Sequence, residues 1–102
     1  MIGRLDRAVA RALKGLHQSI DARGRVRVVV PLGHPLRRFA NNSGWNWRNR
    51  IVQMIVLGRR LPTWVQVHHL NKRRDDDRIR NHSRLGTKAH ARLHAELRRG
   101  KR

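Results

Sequence analysis

Cysteine is missing from this chain altogether, and so is tyrosine. The first absence excludes disulfides, thiolate zinc ligands and a cysteine nucleophile. Carboxylates are scarce: 6 Asp and Glu stand against 25 Lys and Arg, which leaves a formal net charge of +19. A surface so one-sided must meet polyanions, and nucleic acid is the leading partner. No apolar run approaches the roughly 18 residues that a membrane-spanning helix needs. Near the start of the chain Arg4, Asp6, Arg7, Arg11 and Lys14 interrupt every stretch that could act as the apolar part of a secretory signal. Asp6 and the lack of a serine-rich stretch also count against an organellar transit peptide. The expectation is a soluble, cytoplasmic protein with no membrane partner. At 102 residues, of which 38% are hydrophobic, the chain suffices for one small core and no more.

What is present divides into recognisable stretches. Leu5, Val9, Leu13, Leu16 and Ile20 fall on one helical face, which predicts a basic amphipathic helix over residues 4 to about 20, the core of an N-terminal segment 1–22. Arg25 to Val30 alternates and is β-branched, as a strand does, and Pro31, Gly33 and Pro35 end it. Asn41 to Gly44 makes another turn. Ile51, Val52, Ile55 and Val56 predict a helix from Trp47 to Leu57, with Gly58 just past its end. Residues 23–61 thus form a hairpin and a supporting helix. Trp64 to Val67 is a short strand running into His68 and His69, residues 71–80 are a polar loop, and a second strand follows at His82 to Leu85. Thr87 would cap a last helix from Lys88 to Arg98, completing a unit over 62–98 before a basic tail at 99–102. The fold class is α+β.

Five of the seven histidines lie between positions 68 and 94. His68 and His69 are neighbours at a strand end and point to opposite sides, while His90 and His94 share a helix face. Such a set divides labour well, with one imidazole turned to a cation and another to a substrate. Taken singly, each histidine is more economically an ordinary polar surface residue; the set is what carries weight. Asp75, Asp76 and Asp77 offer oxygen to a hard cation, but a turn paired with Arg73, Arg74 and Arg78 explains them more simply. Trp45, Trp47 and Trp64 could stack bases, yet in a chain with one Phe and three Trp they are expected in the core.

The string Val67-His68-His69-Leu70-Asn71, then Asp76-Asp77-Arg78-Ile79-Arg80-Asn81, Leu85, and His90-Ala91-Arg92-Leu93-His94 resembles the HNH endonucleases. Their usual pattern is V-H-H-I-N-G-D-K-x-D-N-R-P-E-N-L followed by E-H-A-R-L-H. Upstream, Arg25 to Pro31, His34-Pro35, Asn41 to Gly44, Arg50 and Gly58 to Leu61 resemble the phage-type subgroup, so the likeness covers about residues 25–94. Four positions depart from the pattern. Lys72 stands where a glycine is usual, Asp77 where the loop has a second asparagine, His82 where a leucine follows the motif asparagine, and Asn49 where a histidine precedes the helix arginine. Many relatives carry paired CxxC zinc knuckles; this chain must hold its fold by packing.

The resemblance implies a ββα-metal unit that hydrolyses DNA, double-stranded by preference, to 5′-phosphate and 3′-hydroxyl ends. It implies His69 as the general base and Asn81 as the residue that bridges the loop and holds His69. His68 and His90 would bind one divalent metal (Mg²⁺, Mn²⁺, Zn²⁺ or Ni²⁺), with His94 a third ligand or a phosphate contact. Arg50, Arg59, Arg60, Arg73, Arg74 and Arg78, together with the tail, are the expected phosphate contacts. A phage or mobile element in a bacterial host is the implied source. The rival reading is a non-catalytic basic nucleic-acid-binding protein, ribosomal or architectural, and a third is the catalytic domain of a bacteriocin-like toxin. The oligomeric state is left open.

Overall fold

The computed structural model describes residues 3–86. The expected helix His90/His94 therefore lies outside the described residues, as does the basic tail. The elements run α1 (Arg4–Leu13), β1 (His17–Ile20), β2 (Val26–Val29), a 3₁₀ turn (Arg37–Phe39), β3 (Trp45–Trp47), α2 (Arg48–Leu57), β4 (Gln66–His69), a second 3₁₀ turn (Ile79–Asn81) and β5 (His82–Leu85). This is an α+β domain with two antiparallel sheets, ordered β1-β2-β3 and β4-β5.

The N-terminal helix is shorter than its apolar spacing predicts. It stops at Leu13, Lys14 leaves helical geometry, and Gly15 adopts a left-handed φ of +83°. Glycine enters that region without the steric cost that other residues meet. Residues 17–20 then pair with β2, His17 opposite Val29 and Ile20 opposite Val26. The boundary at 22 thus gives way to a helix and a strand. Ile20, assigned to the buried stripe by its spacing, is 61% exposed. Asp21 closes the β1–β2 turn by accepting from the amides of Arg23 and Arg25, each at 2.9 Å.

α2 is the centre of the molecule. Ile51, Val52, Gln53 and Met54 are buried one after another, because α1, the first sheet and β4 pack on different sides of it. With Val28, Val30, Leu36 and Phe39, the apolar Ile51, Val52 and Met54 form a single core, which α1 joins through Val9 and Leu13. Gly58 ends the helix in a left-handed conformation, its amide donating to Met54 O at 2.8 Å.

The tryptophans are not core residues. Trp64 is 62% exposed. Trp45 and Trp47 are half-buried on β3, and the Arg27 and Arg25 guanidiniums sit over their rings at 4.2 and 3.6 Å. Side chains one residue removed from the core register on an edge strand cannot enter the core, so arginine covers them instead.

Candidate functional site

The site is built on the β4–β5 hairpin, whose register sets His69 directly opposite His82 and His68 opposite Ser83. The loop between them, residues 70–81, is closed by Asn81. Its side-chain amide donates to Asn71 Oδ1 at 3.0 Å and to Asp76 O at 2.8 Å, while its carbonyl oxygen accepts from the Asn71 amide at 3.0 Å. Its backbone adds two bonds, accepting from Leu70 N at 2.8 Å and donating to Arg78 O at 2.9 Å. Both the donor and the acceptor of one short side chain are in use, which asparagine alone supplies at this size. Asn81 is buried, and its bonds join the two ends of the loop.

From that closed loop Asp77 turns inward. Its Oδ1 lies 2.6 Å from His69 Nε2 and 2.9 Å from His82 Nε2, and its Oδ2 accepts from Arg48 Nε at 2.8 Å. Side-chain exposure is 5% for Asp77, 9% for His69 and 1% for His82, so these are charges and dipoles shielded from water. Burial pushes the Asp77 carboxyl up; the bonds from His82, Arg48 and His69 outweigh it and hold the group below its usual value. Behind His82, Gln53 Nε2 stands 2.9 Å from Nδ1. Arg48 also donates to Gln18 Oε1 on β1 at 2.9 Å and to Asp75 O at 2.7 Å, tying the first sheet to the loop.

His69, Asp77 and His82 bring three ligand atoms within 4.8 Å of one another, a group that could hold a metal ion. Of the ligands expected from the sequence, His68 is half-buried on β4, and His90 and His94 lie outside the described residues.

Beside the hairpin opens a cavity of about 520 Å³ lined by Arg23, Arg25, Arg50, Lys72, Arg74, His68 and His69, with no carboxylate on its wall. Lys72 has a φ of +65°, the only non-glycine residue with positive φ among those described. A lysine holds that conformation against a steric penalty that glycine would not meet.

The expected phosphate contacts divide in two. Arg50 is turned to the protein itself, donating to Val65 O at 2.5 Å and Pro62 O at 2.9 Å from the cavity wall. Arg60 donates to the carbonyls of Arg38 and Ala40, and Arg78 grips Asp76 at 2.8 and 2.7 Å. The Arg78 bond draws the Asp76 carboxyl well below the usual carboxylate range. Arg59, Arg73 and Arg74 are exposed, Arg73 within 3.8 Å of Asp75 and Arg74 on the cavity.

Asp76 and Asp75 are thus the arginine-paired turn residues that the sequence indicates. Asp77 is not: it is the hub of the site. His82, Arg48 and Gln53 were equally invisible as site residues. The available signal was that Asp77 and His82 both depart from the HNH pattern within five positions of each other. No known protein family, curated protein or solved structure matches the chain.

Proposed function

We propose that this protein is a metal-dependent endonuclease of the HNH type that hydrolyses phosphodiester bonds in DNA. The observation that carries the reading is His69, fixed through Nε2 by a buried carboxylate at the edge of a cavity walled by cations. Hydrolysis needs a base for the attacking water and positive charge where the phosphorane gathers negative charge. His69 meets the first need, taking the water proton on Nδ1. Arg23, Lys72 and Arg74 meet the second, neutralising the phosphate and orienting it for in-line attack. Asn81 keeps the loop closed, so that His69 and Lys72 stay in register across the cavity.

A divalent ion (Mg²⁺, Mn²⁺, Zn²⁺ or Ni²⁺), which the resemblance implies on His68 and His90 with His94 as third ligand or phosphate contact, would supply Lewis-acid stabilisation of the leaving oxygen. His68 fits that part in residue type and in place, since it lines the same cavity. No described helix is long and apolar enough to cross a membrane. The setting proposed with this activity is the cytoplasm of a bacterial host, the origin a phage or mobile element, and the substrate double-stranded DNA.

Plasmid cleavage with each of the four metals, beside an EDTA control and His69→Ala, tests the proposal. Metal-dependent nicking or cutting that His69→Ala abolishes while DNA affinity persists is the expected result. Tight, salt-sensitive DNA binding without cleavage under every metal would establish the rival, a non-catalytic basic binding protein.

A further inference from the structure

We infer that Asp77 is a positioning residue: it accepts the Nε2 protons of His69 and His82 together and thereby fixes His69 as the tautomer whose free lone pair is on Nδ1. Two departures from the HNH pattern, Asp77 and His82, are on this view one device rather than two accidents. Its catalytic value rests on the nuclease reading; the tautomer does not.

The argument follows the direction of each hydrogen bond. A carboxylate has no proton to give, and the Arg48 guanidinium beside Asp77 favours its ionised form, so both Nε2 atoms carry hydrogen. Nδ1 of His82 then faces the Gln53 amide nitrogen, 2.9 Å away on the buried face of α2, as its acceptor. The chain of donors runs Gln53 to His82 to Asp77, meets His69 coming the other way, and is anchored by Arg48. What is left is Nδ1 of His69, which makes no hydrogen bond within the described residues, on a ring that lines the cationic cavity. An asparagine at position 77 would not impose this, because its amide can offer either a donor or an acceptor. His82 supplies the second donor that a leucine there could not.

Holding a metal on His69, Asp77 and His82 is the competing use, and the two are mutually exclusive at Nε2. A metal needs both Nε2 lone pairs, and ligand atoms on a tetrahedral ion with bonds of about 2.0–2.1 Å stand roughly 3.3 Å apart. Here the nitrogens lie 2.6 and 2.9 Å from one oxygen, and Arg48 already supplies a positive charge to the other.

Long-range ¹H–¹⁵N correlation spectra of the imidazoles in the full chain, recorded in EDTA near neutral pH, read the tautomers directly. Both His69 and His82 are expected as Nε2–H. In Asp77→Asn the His69 pattern should move toward a mixture containing Nδ1–H. A wild-type His69 in the Nδ1–H form would overturn the inference whatever the variant does. So would Zn²⁺ titration of the wild type that shifts the Nε2 of both rings at one equivalent. If the wild type cleaves, Asp77→Asn should lower kcat at least about a hundredfold with DNA affinity unchanged, and unchanged kcat would deny the positioning role. If the wild type cleaves nothing but shows the Nε2–H spectra, the nuclease reading falls and the tautomer lock stands.

Discussion

Lys72 holds a left-handed backbone that in most residues costs about 1–2 kcal/mol, with its ammonium at the cavity wall. Strain kept at a charged position signals use rather than stability. Lys72→Gly should therefore raise stability by about 0.5–1 kcal/mol, glycine's freedom in the unfolded chain taking back part of the relief. The same change should weaken DNA binding and reduce the slope of log K against log salt by about 1. Urea unfolding beside a salt series of binding measurements checks both; a variant that gains stability and loses no affinity would remove Lys72 from the interface. Asn81→Ala leaves the Asn71 amide and the Asp76 carbonyl without their partner, and should cost about 1–3 kcal/mol along with most of the cleavage rate. Asn81→Asp sets a buried carboxylate oxygen against Asn71 Oδ1 and Asp76 O, so it should be at least as destabilising as Asn81→Ala, measured by thermal melts at neutral pH. Asp77 carries a pH signature of its own. Its folded pKa is depressed, so its contribution to stability is present above the unfolded value of 3.8 and is lost as pH falls through the folded one. Urea midpoints of the wild type should decline more steeply below about pH 4 than those of Asp77→Asn; parallel curves would show that the three donors leave no net linkage.

Among the elements, those specified by local chemistry were legible in the sequence. β5 at His82–Leu85 and the glycine stop after Leu57 fall where turn residues and periodicity put them. The twin-donor bridge at Asn81 was legible too, because an asparagine between two strands has little else to do. β1 was not, since His17 to Ile20 gains its structure from pairing with Val26 to Val29 and nothing within it advertises a strand. The apolar period that ran on through Leu16 to Ile20 was accidental, and Gly15 just before that stretch was the contrary sign. α2 shows the opposite failure. Gln53 lies in a run of four buried residues on a helix packed from several sides, so no polar face announces that its amide reaches His82. Asp77 stood in a row of three identical residues, and which one turns inward depends on a loop conformation set by Asn81. Removing the inner end of that chain by Gln53→Leu should leave the fold intact, replacing one buried amide with an apolar side chain of similar size. His82 should keep its Nε2 proton, still held by Asp77, which the same imidazole spectra would show.

Among the described residues the carboxylates are unevenly placed. Asp6, Asp75, Asp76 and Asp77, four of the 6 acidic residues in the chain, lie along a groove between α1 and the loop, where Arg7, Arg11, Lys14, Arg48 and Arg78 offset them. The cavity beside His69 has no acidic residue on its wall. A polyanion approaching such a surface is drawn more strongly to the cavity, whose cations no carboxylate offsets, than to the groove, and the effect fades as salt screens it. Association rates with duplex DNA should fall steeply between low and physiological ionic strength, measured by stopped-flow fluorescence. Arg23→Ala and Arg74→Ala should each slow association more than Arg78→Ala does, because Arg78 is already neutralised by Asp76. Equal effects of all three would mean that net charge alone, and not its placement, governs the encounter.

One long reach among the described residues joins α1 to the loop: the Asp6 carboxylate accepts from the Ile79 amide at 2.8 Å across 73 positions. That single proton is therefore a clock. Each time α1 lifts from the domain, the Ile79 amide is released to solvent, whereas the Leu70 amide stays bonded to Asn81 O inside the closed loop. Deuterium should enter at Ile79 well before it enters at Leu70, and Asp6→Ala should hasten the first without touching the second. The ratio of the two rates counts how often the first helix lets go while the hairpin that bears His69 remains whole.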